Sequence, residues 1–302
     1  MTYSYIGKMA AYERDRQGVS AETVCNGLCD LDIYNSFEKG EDIGDIHVER
    51  LLLQRLGISA SLAGRYLCRD EYDEMHARFN ILELLRADKL ILAKKAAVEY
   101  KNCYCAESRL NKQFMAYMSA RIAQLDGDTV GALRLYEKAI GYTIEDYGVA
   151  EFTCISVYEY FMLANIARLN AVLENYMEAE KLYERLLAYC HRRNSDHWTM
   201  ACVYPKTVCE MLDINSPDSM GIYERRVWLE ECNAAIKALC DTARLHYICP
   251  LLGKRHALLE FLGEAPDRQW DDFLEHYEWL RNKYHIKGEL LEWYPYYNSD
   301  WE

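Results

Sequence analysis

Cys190, His191, His197 and Cys202 form the only dense thiol and imidazole cluster in the chain, in the order C-H-x5-H-x4-C. A closed zinc site needs four ligands at tighter, paired spacings. The cluster therefore reads as buried thiols beside a histidine pair, and neither zinc nor any other cofactor is expected. A second group suits recognition better than bond-breaking: Asn111, Asn165 and Asn170, with Tyr117 and Tyr158 nearby on the same presumed helices. A side-chain amide offers a donor and an acceptor together and can clamp an extended peptide backbone. Tyrosine adds broad amphipathic contact. These five residues are the expected peptide-binding set. Glycine-rich phosphate loops, the G-x-S-x-G elbow, H-E-x-x-H and the E-x-x-H di-iron pair are absent from the sequence, so an enzyme is not expected.

Charge narrows the partners. The 302 residues carry 48 acidic against 35 basic side chains, a formal charge of −13, which opposes unspecific attraction to phosphates. The stretch 86–112 goes the other way: Arg86, Lys89, Lys94, Lys95, Lys101, Arg109 and Lys112 face only Asp88, Glu99 and Glu107. It reads first as a solvated helix face with i,i+4 pairs. The sharper alternative is a site for a peptide carboxylate or phosphates. No window approaches the roughly 18 apolar residues of a membrane span, and the N-terminus lacks a signal-like apolar run, so a cytoplasmic protein is expected. Cysteines such as Cys154, Cys209, Cys232 and Cys240 stand singly along apolar faces, as buried free thiols do in a reducing compartment.

All five prolines lie beyond residue 204, so helix can run undisturbed through the first two thirds. Residues 1–60 divide into short amphipathic segments (4–17, 20–28, 30–39, 45–56) separated by Gly18, Gly40, Gly44 and Gly57. Longer segments with apolar spacings of three and four follow at 66–85, 87–103, 108–125, 128–141, 150–173 and 175–192, then at 198–212, 220–247, 250–262 and 268–284. Ala132, Tyr136 and Ala139 have the spacing of the second helix of a tetratricopeptide unit. Ala179, Tyr183 and Leu186 repeat it, and Ala96, Tyr100 and Cys103 repeat it loosely. Asp126-Gly127-Asp128 and Glu174-Asn175-Tyr176 supply turns before second helices. The expected fold is all-α: a compact N-terminal bundle over 1–65, then a right-handed superhelix of antiparallel pairs over 66–302.

Ile6-Gly7-Lys8 opens a first helix, Val19-Ser20-Ala21-Glu22-Thr23-Val24 a second, and Phe37-Glu38-Lys39-Gly40 closes a third. With Val48 to Ser59 as a closing helix and exit turn, this order resembles the Cro/repressor type of helix-turn-helix domain. Followed by tetratricopeptide-like hairpins, it resembles the peptide-pheromone-responsive quorum-sensing regulators of Gram-positive bacteria. The resemblance implies that Ser20 caps the second helix and that Asp30 to Lys39 is the recognition helix. Ser20, Leu31, Asp32, Tyr34, Asn35, Ser36 and Lys39 are then the expected DNA contacts. It further implies a homodimer, operator DNA and a short signalling peptide as partners, and a transcriptional regulator as the function.

The electrostatics of this region point elsewhere. Residues 1–65 hold seven basic and ten acidic side chains, and residues 30–45 set six carboxylates against Lys39 alone. Asp32 stands where a base-facing residue belongs; it can accept from a cytosine amino group but otherwise repels phosphate. The alternative expectation is accordingly a helical-repeat scaffold whose helix-turn-helix domain no longer binds DNA.

Overall fold

The computed structural model describes residues 3–58, 69–105, 108–149, 151–193, 199–242 and 247–265, with Asp272, Glu275, His276, Trp279 and Lys283 beyond them. The expected helix 268–284, the aromatic-acidic C-terminus, His197 and the boundary at 65/66 fall wholly or largely outside the described residues. Thirteen α-helices and one π-helical turn make up the regular structure among the described residues. The expected class holds: an all-α chain with an N-terminal helix-turn-helix bundle followed by tetratricopeptide-like helix pairs. No described helix is long and apolar enough to cross a membrane.

The bundle contains α1 (Tyr3–Arg16), α2 (Ala21–Cys25), α3 (Leu31–Glu38) and α4 (Ile46–Arg55). Ser20 caps α2, its side chain accepting from the Thr23 amide at 3.2 Å, as expected. Asp30 sits at the N-cap of α3 but makes no capping bond from its side chain. Asp45 caps α4 through the amides of His47 and Val48. Gly7 lets α1 lie directly on α3, since a Cβ there would sit 1.9 Å from the Phe37 carbonyl oxygen. Ala10, Val24, Tyr34, Phe37, Leu52 and Leu53 fill the centre.

The first helix pairs are α5 (Arg69–Arg86) with α6 (Leu90–Tyr104) and α7 (Arg109–Leu125) with α8 (Thr129–Ile140), with α9 (Val157–Val172) packed on α8. Asp126-Gly127-Asp128 makes the expected tight turn: Gly127 is left-handed and Asp128 caps α8 on the Gly131 amide. Ala132, Tyr136 and Ala139 are fully buried, as the repeat spacing requires. The loose copy on α6 is shifted by one turn: Ala93, Ala97 and Tyr100 are buried with that same spacing, whereas Cys103 is exposed. The helix expected over 150–173 starts only at Val157, because Ser156 and Glu159 form a capping box that fixes the start.

Two compact units divide the chain, residues 1–175 and residues 176–294. The bundle shares its unit with α5–α9, so the division falls at 175/176 and not after the bundle. The second unit has α10 (Tyr176–Arg192), the π-helical turn Thr199–Val203, α11 (Tyr204–Ile214), α12 (Ile222–Asp241) and α13 (Ile248–Leu262). Ala179, Tyr183 and Leu186 face its core. Pro205 falls at the first turn of α11, where its missing amide costs nothing. The described cysteines are free thiols, most of them buried; Cys240, expected on an apolar face, is exposed near the end of α12.

Candidate functional site

The expected recognition helix α3 offers a mixed outer surface. Ser20, Asp32 and Lys39 are exposed, and Leu31, Asn35 and Ser36 are half-buried. Tyr34 is a correction: at 0% exposure it belongs to the core and has no surface to present to a base or phosphate. It occupies the inward turn of α3, one turn before Phe37, which is equally buried. Asp30, Glu41 and Asp42 are exposed around this helix.

The bundle's own basic residues are partly consumed. Arg14 on α1 grips Glu38 of α3 with two bonds, Nε to Oε1 at 2.6 Å and Nη2 to Oε2 at 2.9 Å, and also contacts Asp15. That fork-to-fork geometry raises the Arg14 pKa, with the Glu38 bond as its main cause. Arg16 pairs with Glu13. Lys8 and Lys39 remain the exposed cations of the bundle that make no ion pair among the described residues.

The peptide-binding set is likewise redirected. Asn111 is buried and accepts from Arg78 at 2.5 Å while donating to the Tyr104 carbonyl at 2.9 Å. Asn165 is buried, donates to the Phe161 carbonyl and accepts from Arg168. Asn170 donates back to Ile166 and accepts from Asn175. Asn165 and Asn170 thus turn back on α9, and Asn111 ties α7 to α5 and α6, so each amide is already engaged within the protein. Tyr117 and Tyr158 are both buried and meet edge to face, with ring centres 5.0 Å apart. The fold brings these two tyrosines together; it leaves Asn165 and Asn170 tightening α9 and Asn111 bridging α7 to α5 and α6.

Four of the seven cations of the stretch 86–112 are paired, mostly with carboxylates outside it. Lys94 pairs with Asp126, Arg86 with Glu83, Lys95 with Glu99 and Arg109 with Glu145, all on exposed side chains. Such pairs contribute little. Among the described residues no group of three or more His, Cys, Asp or Glu side chains could hold a metal.

The most developed polar constructions join the bundle to the helix pairs. Arg55, at the last turn of α4, is buried; its Nε and Nη2 meet the Glu159 carboxylate at 3.1 and 2.5 Å, and Nη1 donates to the carbonyls of Val24 and Asn26 at 2.8 and 2.6 Å. Glu159 also accepts from the Ser156 amide at 2.8 Å. Burial by itself would lower the Arg55 pKa and raise that of Glu159. Each charge more than reverses the effect on its partner, so both stay ionised. Gly27 closes the same contact: its φ is +73°, and a Cβ would fall 2.1 Å from the Thr143 carbonyl oxygen.

A second junction runs from His47 of α4 to Glu74 of α5. Glu74 also receives Arg78 at 2.6 Å and the Tyr100 hydroxyl, while Arg78 lies 4.6 Å from the centre of the Phe114 ring. Burial pushes the Glu74 carboxyl up, yet His47, Arg78 and Tyr100 together hold it down at about 2. For His47 burial dominates and Arg78 adds to it, so its pKa is lowered despite Glu74. Arg55, His47, Glu74 and Arg78 carry no motif of their own in the sequence. The S-x-x-E pattern at Ser156–Glu159 was the one local signal pointing to this region.

No protein family and no curated protein matches this chain. Among solved structures it is similar to Bacillus thuringiensis PlcR, crystallised in complex with the peptide PapR7 and DNA, with a TM-score of 0.54 and 13% sequence identity over 98% of this chain and 99% of that one. At that identity the likeness is one of fold, and it runs from end to end of both chains.

Proposed function

We propose that this protein is a peptide-responsive, DNA-binding transcriptional regulator: residues 1–65 engage operator DNA as part of a homodimer, and residues 66–302 form the helical-repeat domain that binds a short signalling peptide. The observation that carries this reading is the end-to-end correspondence of fold with a protein crystallised with both a peptide and DNA. Exposed Ser20, Asp32 and Lys39, with half-buried Leu31, Asn35 and Ser36, form the DNA-facing set. Tyr34 supports the helix from inside. Peptide binding in one arrangement of the repeats more than another would shift the population of bundle orientations, and the Arg55–Glu159 and His47–Glu74 contacts are the connections through which such a shift reaches α4.

A second reading is favoured by a specific observation: exposed Asp30, Asp32, Glu41 and Asp42 surround α3 with only Lys39 as an exposed cation there, and Arg14 is held by Glu38. In that reading the bundle docks a protein partner and the chain is a scaffold. Selection of duplexes from a random-sequence library at low salt, with the full chain, separates the two. Enrichment of a palindromic operator, with binding altered by a peptide, supports the regulator. Failure to retain any duplex supports the scaffold.

A further inference from the structure

A cavity of about 40 Å³ lies where α4 meets α5, α7 and α9, with Arg50, Gln54, Arg78 and Gln113 among the side chains around it. A single water needs roughly 10–15 Å³, so about three atoms of that size fit. Gln113 is fully buried, and its Nε2 donates to the Ala139 carbonyl at 3.1 Å and to Thr143 Oγ1 at 2.8 Å. A carbonyl only accepts, which fixes the amide's orientation and identifies the remaining atom as oxygen. That Oε1 is buried without a hydrogen-bond partner, and so is Oε1 of Gln54. Two buried acceptors left unmet are costly to a fold, and Arg50 and Arg78 line the same space.

We propose that this cavity binds a neutral primary carboxamide. Its NH2 would donate to Gln54 and Gln113, and its carbonyl would accept from a guanidinium. The three heavy atoms of the group match the space. A carboxylate would set oxygen against the fixed Gln113 oxygen, and an ammonium group would meet Arg50 and Arg78; both are disfavoured by the same lining. Leu51 and Leu110 form apolar wall suited to the carbon that bears the amide. The inference concerns the junction cavity alone and is independent of whether the chain binds DNA.

The test uses the full-length isotope-labelled chain titrated with propionamide, propionate and propylamine, reading the side-chain NH2 resonances of Gln54 and Gln113. Propionamide alone should shift them saturably. Gln54→Met, at a half-buried position, should weaken propionamide binding about tenfold, the equivalent of one lost hydrogen bond; Gln113→Met, checked for an unchanged helical spectrum, should do the same. N-acetyl-glutamine methylamide run alongside distinguishes the source: tighter binding than propionamide assigns the amide of a peptide side chain, and equal binding assigns a free small amide. Binding of propionate equal to that of propionamide, or titrations that leave both resonances unmoved, overturns the proposal and leaves the cavity to water.

Discussion

Arg55 and Glu159 stand 104 residues apart in sequence and share a buried, two-bond ion pair at 3.1 and 2.5 Å, so the last turn of the N-terminal bundle is fastened to the first turn of α9. Removing one member leaves an uncompensated buried charge, which costs about 3–5 kcal/mol, whereas replacing both with apolar residues of similar volume is often neutral. Arg55→Met and Glu159→Leu are each expected to lower the unfolding free energy of the first unit by that order, and the double replacement to recover most of the loss. Denaturant titration followed by circular dichroism and by amide hydrogen exchange of residues in the first unit measures this; additive losses in the double variant would contradict a paired role.

Gly27 should be far less tolerant than Gly18. Both have positive φ, but a Cβ on Gly27 meets Thr143 at 2.1 Å and one on Gly18 meets nothing within 4 Å. Gly18→Ala is expected to cost about 1 kcal/mol from backbone strain alone, and Gly27→Ala about 2–3 kcal/mol or more. Thermal melts of the two variants compare them directly, and equal losses would remove Thr143 from the account.

His47 makes the bundle's seating sensitive to mild acid. Its folded pKa lies below the ordinary value, burial being the main cause and Arg78 the next. An unfolded histidine takes up its proton near about 6.5, so below that pH the unfolded chain binds more protons and stability falls. His47 thus contributes fully above about 6.5 and progressively less as pH drops toward its folded value. Glu74, held at about 2, stays ionised through this window and loses its contribution only as pH falls from about 4.5 toward 2. The urea midpoint should fall between pH 7.5 and 5.5, and His47→Asn should flatten that dependence. An unchanged slope in the variant would assign the acid sensitivity to other groups.

Asp32 decides how α3 meets nucleic acid. Asp32→Lys changes the local charge by two on an exposed residue of α3. If α3 faces DNA, the variant gains affinity at low salt and its salt dependence steepens, because an added phosphate contact releases a further counterion. Fluorescence anisotropy against a salt series reads both quantities; unchanged, negligible binding by both proteins would place α3 away from DNA.

Much of the architecture was legible in the sequence because it rests on periodic burial and on turn residues. Gly127, Ser20 and the Ala132–Tyr136–Ala139 spacing act locally, and each is where the pattern put it. The register of α6 is ambiguous in the sequence because alanines at 93, 96 and 97 give the small-residue pattern two solutions, and only packing chooses Ala93 and Ala97. The asparagines misled for a different reason. A side-chain amide satisfies a neighbouring carbonyl as readily as a ligand, and Asn165 and Asn170 each donate to the carbonyl of a nearby residue on α9. Long-range charge pairs such as Arg55–Glu159 leave almost no local trace, since what makes them possible is a fold that brings distant helices together.

Glu159 has two tasks, holding the Ser156 amide at the start of α9 and neutralising Arg55 of the bundle. A single carboxylate thereby makes the N-terminal helices unsuitable as an exchangeable cassette. Grafted onto another repeat array, they would carry a buried guanidinium in search of a counter-ion, and the repeats left behind would keep a buried acid. Recombination at the bundle's edge is penalised on both products, so the two parts must change sequence together.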